Sequence, residues 1–225
     1  MDEIKQQGYV GVKKEVVSKQ VIMQKTLNWF VISLLVATIG AAVGNSLDPS
    51  WFIPLVILEF ALLIAAIVVR RSQTANRKWG IPLLLSFAFV TGLMTGPILT
   101  HFFSEGAGLA VLMAFVTASA TFTILGFIGA KIKTDLHFLG KALFAALIIL
   151  VLFALFSLFV PLGAMTTIIA GFGTLVFSLY ILFDFNQIMK RDVTLDDVPM
   201  LALSLYLDFL NLFLYLLQLF TGGRD

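Results

Sequence analysis

Three carboxylates stand well inside long apolar stretches of this sequence. Asp184 lies within SLYILFDFNQIMKRD (178–192), Asp208 lies within LALSLYLDFLNLFLYLLQLF (201–220), and Glu59 lies in an earlier apolar run. A charged side chain at the centre of a membrane helix costs about 2.5–3.5 kcal/mol on the insertion scale. Acids are retained at such positions where they bind or transfer an ion or a proton, so these three are the first candidates for function.

The two aspartates are placed so that they can meet. Asp184 and Asp208 are equally far from residue 196, in the polar stretch between two apolar runs. Two antiparallel helices joined there would carry both carboxyls to the same depth, no more than about 18 Å from the turn at a rise of 1.5 Å per residue. Repulsion in a medium of low dielectric constant prevents both from ionising easily, so a touching pair would share a proton.

A regular polar series runs along the last apolar segment. Its members follow one another at spacings of 4, 3, 4 and 3: Ser204, Asp208, Asn211, Tyr215 and Gln218. These spacings put them on one stripe of a helix, which must face protein or water. We expect Asn211 and Tyr215, with Glu59, to line an ion pathway. The alternative for the amides and the tyrosine is hydrogen bonding between helices.

Arg70 ends the second apolar run. It follows Glu59 by 11 residues, close to three helical turns, so both lie on one face. Its long side chain could bend back to reach an intramembrane acid such as Asp184. The alternative is an ordinary anchor at the membrane surface.

The sequence offers few side chains that could bind a metal ion and no thiol. The chain has no cysteine, which removes disulfides and thiolate catalysis. His101 and His137 fall near opposite membrane surfaces, so they cannot bind one metal together, and haem or zinc would find too few ligands. We therefore expect no tightly bound cofactor.

The composition is that of an integral membrane protein. Of 225 residues, 60% are hydrophobic and 12% charged, with a mean hydropathy of +1.01. Seven apolar segments have the roughly 20 residues that a spanning helix needs: 27–46, 51–69, 81–101, 107–130, 138–160, 164–189 and 199–220. The sequence predicts an all-α bundle of seven transmembrane helices, with residues 1–25 as a cytoplasmic N-terminal segment and 26–225 as one transmembrane domain.

Basic residues are distributed very unequally across this topology. Fourteen of the fifteen lysines and arginines fall on one side, and only Arg224 falls on the other. The positive-inside rule makes the basic side cytoplasmic, so the N-terminus is predicted inside and the C-terminus outside.

Small residues recur at the spacing of close helix packing. There are four such pairs: Gly40 and Gly44, Gly92 and Gly96, Gly126 and Gly129, and Gly171 and Gly173. The Gly96-Pro97 step predicts a local break in hydrogen bonding, with a kink or hinge, in the third helix.

At these residues the sequence resembles the Bax inhibitor-1 family, the transmembrane Bax inhibitor motif proteins. The similarity begins near residue 20 and is sharpest at TGLMTGPIL (91–99), YILFDFNQIM (180–189) and ALSLYLDFLNLFLYLLQLF (202–220). The resemblance implies a bundle whose last helix is central, surrounded by the other six, and a pH-sensitive calcium leak. The chain looks most like the bacterial members, which implies a bacterial plasma membrane.

The resemblance also assigns roles to individual residues. Asp184 and Asp208 match the aspartate pair that senses pH in the family, Arg70 matches its latch arginine, and Glu59 matches the acid of its second helix. Phe183 stands where the family often has tyrosine, so a hydrogen bond from that hydroxyl is lost here.

Three classes of function follow from these residues. The first is a non-enzymatic calcium leak channel, with calcium ions, protons and the lipid bilayer as partners and no nucleic acid; protein partners stay open. Calcium prefers 6–8 oxygen ligands, so Asp184, Asp208 and Glu59 would hold it only weakly and transiently, which suits conduction. The second is a proton-coupled transporter. The third is an intramembrane aspartyl protease. Such proteases usually have glycine, any residue and glycine before the second aspartate, whereas LYL precedes Asp208 here.

Overall fold

The computed structural model describes residues 17–157, 159–160 and 163–222. Within these ranges it contains seven helices long and apolar enough to cross a membrane, and no strand. The helices are α1 (Lys19–Gly44), α2 (Phe52–Arg70), α3 (Gln73–Ser104), α4 (Gly108–Lys131), α5 (Leu139–Ser157), α6 (Met165–Lys190) and α7 (Val198–Phe220). The predicted all-α, seven-helix class is confirmed. Most of the predicted N-terminal segment, residues 1–16, lies outside the described residues.

Two helices begin earlier than the apolar segments predicted. α1 begins at Lys19 and α3 at Gln73, each eight residues ahead of the predicted segment. The hydroxyls of Ser18 and Ser72 cap these starts by accepting hydrogen bonds from backbone N–H groups three residues later, both at 3.4 Å. Hydropathy reports only the part of a helix that crosses the hydrocarbon, so it misses a capped polar first turn.

Glycines bring the backbones of α1 and α3 into contact. A Cβ atom on Gly92 would lie 2.2 Å from the carbonyl oxygen of Ala37, and one on Gly40 would lie 2.3 Å from that of Phe89. No side chain fits at those distances, so the predicted packing role is confirmed for these two glycines, whereas a Cβ atom on Gly171 would have no atom from another described helix within 4 Å. α3 continues through Pro97, whose missing N–H costs the helix one hydrogen bond; a kink there stays a prediction.

α7 is the most buried helix of the bundle. Thirteen of its 23 residues are buried, against two of 19 in α2 and two of 19 in α5. It packs against α1, α3, α4 and α6. Phe209 anchors it, because its ring makes edge contacts with Phe30 of α1 and with Phe115 and Phe122 of α4 at 5.7, 6.0 and 5.7 Å. A complete ring of six helices around α7 stays a prediction.

The orientation of the bundle can be tested with single cysteines. Ser46 and Gln73 are both exposed and lie at opposite ends of α2, and the chain has no cysteine of its own. A membrane-impermeant thiol reagent added outside whole cells should label Ser46→Cys at once and Gln73→Cys only after permeabilisation. Equal labelling of both variants from outside would contradict the orientation predicted from the basic residues.

Candidate functional site

The structure brings the two intramembrane aspartates together. The carboxyl of Asp184 on α6 lies close to the carboxyl of Asp208 on α7. The two helices are packed neighbours joined through a short turn at Leu195–Asp197. The pairing expected from the positions of these residues in the sequence is therefore present.

Asp208 is almost completely enclosed. It is 5% exposed, and its Oδ2 atom has no hydrogen-bond partner among the described residues. An ionised carboxylate oxygen in such a place is very unfavourable unless it gains a proton, a cation or a water molecule. The pair is therefore a place where binding of a proton or an ion changes the energy of the folded protein.

Asp184 faces a cavity of about 450 Å³, which we call the polar cavity, at the end of the bundle that carries the α6–α7 turn. Its charged and polar lining residues are Arg70, Tyr180, Asp184, Gln187, Arg191, Asp192, Asp197 and Ser204. Ser204 of α7 lines this cavity together with Asp184. Arg70 and Arg191 act on Asp184 through their charge and not through a hydrogen bond. Positively and negatively charged side chains therefore line the same cavity.

Arg191 is a neighbour of Asp184 that the sequence reasoning missed. That reasoning named Arg70 alone as the cation for Asp184, but both guanidinium groups line the polar cavity. The signal was available, since Arg191 follows Asp184 by seven residues and so lies two turns along the same helix face. Asp184 therefore has two cations near it, Arg70 at the end of α2 and Arg191 directly after the end of α6.

Glu59 lies apart from the aspartate pair. The described part of the chain holds no group of three His, Cys, Asp or Glu side chains that could bind one metal ion. Glu59, partly buried on α2, is close enough to the hydroxyl of Tyr206 on α7 to interact with it electrostatically, and that hydroxyl pairs with Thr91. Any calcium contact at Glu59 would be separate from one at Asp184 and Asp208.

The polar stripe of α7 borders α6. The ring of Tyr215 stacks on Phe177 with centroids 5.8 Å apart, and it covers Gly173, where a Cβ atom would lie 2.6 Å from the ring. Asn211 donates to the carbonyl oxygen of Leu207 in its own helix, at 2.8 Å, instead of bridging to another helix. Apart from Asp208, the members of the stripe remain partly exposed. The stripe therefore follows a partly open seam, and its use as an ion pathway stays a prediction.

Asn186 ties α6 to the loop between α4 and α5. Its side-chain NH₂ group donates to three backbone carbonyls, those of Gly129, Ile132 and Thr134, at 3.3, 3.2 and 3.1 Å. Its oxygen accepts from the N–H of Leu136 at 3.0 Å, and the side chain is fully buried. These bonds satisfy carbonyls at the end of α4 that lack a helical partner. The segment of α6 that carries Asp184 is thus held to α4.

Gln187 makes a second tie to the same loop. Its side-chain N–H donates to Oδ1 of Asp135 at 2.9 Å, and that oxygen also accepts from the backbone N–H of His137 at 2.8 Å. These hydrogen bonds hold the pKa of Asp135 below its usual value. The stabilisation that they give is present at neutral pH and is lost only as pH falls through that lowered pKa, so the tie does not respond to mild acid.

Comparison with known proteins identifies the family. Residues 19–225 match the family described as "Inhibitor of apoptosis-promoting Bax1". The chain belongs to the Bax inhibitor family. The resemblance read from the three sequence stretches is confirmed.

The relatives of this Bax inhibitor family chain include bacterial and plant proteins. It is 33% identical over 208 residues to an uncharacterized protein of Campylobacter jejuni, covering 88% of this chain and 87% of the relative. It is 36% identical over 172 residues to an uncharacterized membrane protein of Streptococcus pyogenes, covering 73% of each. It is 38% identical over 153 residues to Protein LIFEGUARD 4 of Arabidopsis thaliana, covering 66% of this chain and 61% of the relative.

Two of the three stretches that carry the Bax inhibitor family resemblance contain residues that make close contacts between helices. The first, 91–99, contains the glycines that pack on α1. The second, 180–189, contains Asp184 and the amides of Asn186 and Gln187. The amides were overlooked by the sequence reasoning, although two adjacent amides in an apolar helix were a usable signal.

Loss of the Asn186 amide should destabilise the protein. In Asn186→Ala the buried N–H of Leu136 and several carbonyls lose their partner, and we expect the free energy of unfolding to fall by about 1–3 kcal/mol. Asn211→Ala is the matched control, because that amide bonds only within its own helix turn. Thermal unfolding in detergent should show a Tm several degrees lower for Asn186→Ala. An equal Tm for both variants would mean that the tie to the α4–α5 loop carries no stability.

Proposed function

We propose that this member of the Bax inhibitor family is a non-enzymatic, pH-sensitive calcium leak channel. The observation that carries the proposal is the aspartate pair itself. Asp184 and Asp208 meet inside the membrane-spanning part, one oxygen of Asp208 has no hydrogen-bond partner among the described residues, and Asp184 lines a cavity that Arg70 also lines. A proton or a cation is the simplest partner for that oxygen.

The proposed gate works through the charge of Asp184. When Asp184 is ionised it attracts Arg70, and this attraction holds the end of α2 against α6 and closes the polar cavity. Protonation of Asp184 removes the attraction, so α2 is released and the cavity opens. Asn186 and Gln187 keep α6 attached to α4 meanwhile, so α2 is the element that moves.

The proposed path runs from the polar cavity along the stripe of α7. Calcium would meet the oxygens of Asp184 and Asp208 first and then pass Asn211 and Tyr215. Glu59 would offer a separate contact near Tyr206. Calcium prefers 6–8 oxygen ligands, and these positions supply far fewer at any one point, so occupation is brief and ions move on.

The proposed setting is a bacterial plasma membrane with the N-terminus in the cytoplasm and the C-terminus outside. Bacterial relatives support the first part, and the distribution of basic residues supports the second. In this orientation the polar cavity opens to the cytoplasm. The leak then responds to cytoplasmic acid.

The test is calcium efflux from vesicles that contain only the purified protein. Protein-dependent efflux should rise when the pH on the side of the polar cavity is lowered from neutral to mildly acidic, and protein-free vesicles should show no such rise. Proton counterflow in fixed ratio to calcium would instead indicate a proton-coupled transporter. Absence of efflux at every pH, or cleavage of an unstructured membrane substrate, would overturn the channel proposal.

A further inference from the structure

A second, larger cavity lies in the other half of the bundle. It has a volume of about 740 Å³ and lies between α1, α3, α4 and α7. Its lining comes from the C-terminal halves of α1 and α3 and the first turns of α4, so it lies toward the α3–α4 turn and away from the polar cavity. Leucine, valine and phenylalanine side chains make up most of its wall, and we call it the apolar cavity.

The polar atoms in its wall are already satisfied. The hydroxyls of Thr38 and Thr95 donate to the carbonyl oxygens of Leu34 and Thr91 in their own helices, at 2.9 and 2.7 Å. The hydroxyl of Tyr206 pairs with that of Thr91. Of the buried polar atoms that lack a partner in the described ranges, none belongs to a lining residue. The described lining residues therefore offer no unpaired buried polar side-chain atom to which water or a polar ligand could bind.

The apolar cavity is continuous with the lipid-facing surface. Leu35 of α1 and Leu112 of α4 line it and are 62% and 57% exposed. On helices that cross a bilayer such exposed leucines contact hydrocarbon. At its inner end the cavity reaches Phe209 and Phe213 of α7, which are buried. A path of apolar surface therefore leads from the bilayer to the helix that carries Asp208.

We propose that the apolar cavity binds an acyl chain of a membrane lipid, seated against Phe209 and Phe213 of α7. The argument for this occupant is the continuity of the cavity with the lipid-facing surface, together with a wall in which no buried polar side-chain atom of the described residues lacks a partner. An empty cavity would leave its lining without dispersion contacts, which an acyl chain restores. The proposal does not depend on the calcium leak, since it concerns the opposite half of the bundle.

Quenching of tryptophan fluorescence by lipids with brominated acyl chains tests the proposal directly. The three native tryptophans are first replaced by phenylalanine, and Phe213→Trp then reports on the apolar cavity. Phe177→Trp on α6 is the matched control, because Phe177 is as buried as Phe213, 4% against 7% exposed, but does not line the cavity. Brominated lipid in vesicles should quench Phe213→Trp several-fold more than Phe177→Trp. Equally weak quenching of the two would overturn the proposal.

A variant that fills the cavity supplies the second measurement. Thr95→Phe, added to Phe213→Trp, should reduce the quenching several-fold, because the new ring occupies the site of the chain. Thr123→Phe on α4 is the control, since Thr123 is exposed, lies outside the cavity and also bonds within its own helix. Undiminished quenching in the filled variant would contradict binding in the cavity. Quenching that falls as protein is concentrated in the bilayer would assign the cavity to a second copy of the chain. If Phe213→Trp does not fold, Leu210→Trp probes the same wall.

Discussion

Asp208→Asn should remove most of the pH dependence of calcium flux and leave the protein folded. Asparagine has nearly the shape of aspartate and can still hydrogen bond to Asp184, but it neither binds nor releases a proton. Without a second acid beside it to share a proton, Asp184 is expected to bind a proton only at lower pH, so in the proposed gate it keeps attracting Arg70 over this pH range. Flux measured in vesicles from neutral to mildly acidic pH should change far less than in the unmodified protein, with the size-exclusion profile unchanged.

The control for this variant is another Asp→Asn change outside the bundle. Asp48 lies exposed in the turn before α2, where its Oδ1 accepts from the N–H of Ser50 at 2.9 Å. Asn keeps that cap, so Asp48→Asn should keep the full pH profile. A wild-type profile in Asp208→Asn would show that Asp208 has a structural role and that the pH response lies elsewhere.

The direction of the pH response follows from which form of Asp184 carries charge. In the proposed gate, the carboxylate of Asp184 is ionised at neutral pH, and its attraction for Arg70 holds the gate closed. As pH falls Asp184 binds a proton, the attraction is lost, and flux rises. At still lower pH the protonated oxygens no longer attract calcium, so flux should pass through a maximum and then fall.

Arg70→Ala should make the channel leak at neutral pH as the unmodified protein leaks in acid. Removing the guanidinium removes the attraction that is proposed to hold α2 against Asp184, whatever the protonation state of the acid. A change of about 1.4 kcal/mol in a closed–open equilibrium alters the open fraction about tenfold, and we expect an increase in neutral-pH flux up to that size. The same vesicle assay measures it, and the pH dependence of the variant should be reduced.

Two other arginine variants serve as controls for Arg70→Ala. Arg71 is also exposed at the end of α2 but does not line the polar cavity, so Arg71→Ala should change flux little. Arg191→Ala removes the second cation near Asp184 without freeing α2, and should shift the pH midpoint without opening the gate at neutral pH. A tight Arg70→Ala channel at neutral pH would reject the latch and leave Arg70 as an anchor at the membrane surface.

The class of protein and the meeting of the aspartates could be predicted from the sequence because both depend on local rules. Seven segments of spanning length require seven helices, since a backbone in hydrocarbon must satisfy its own hydrogen bonds. A short turn between two antiparallel helices places residues equally far from it at equal depth. Asp184 and Asp208 meet that condition, and the structure pairs them.

The contacts of Asn186, the position of Glu59 and the apolar cavity were decided only by the tertiary structure. Asn186 bonds to residues about 50 positions earlier in the chain, in a loop that no periodicity links to α6. Glu59 lies near Tyr206 instead of the aspartate pair because α2 packs on α3. Most of these helices are apolar around their whole circumference, so the sequence does not indicate which face meets which neighbour. That choice depends on how small and large side chains of all seven helices fit together, as where Gly92 fits against Ala37.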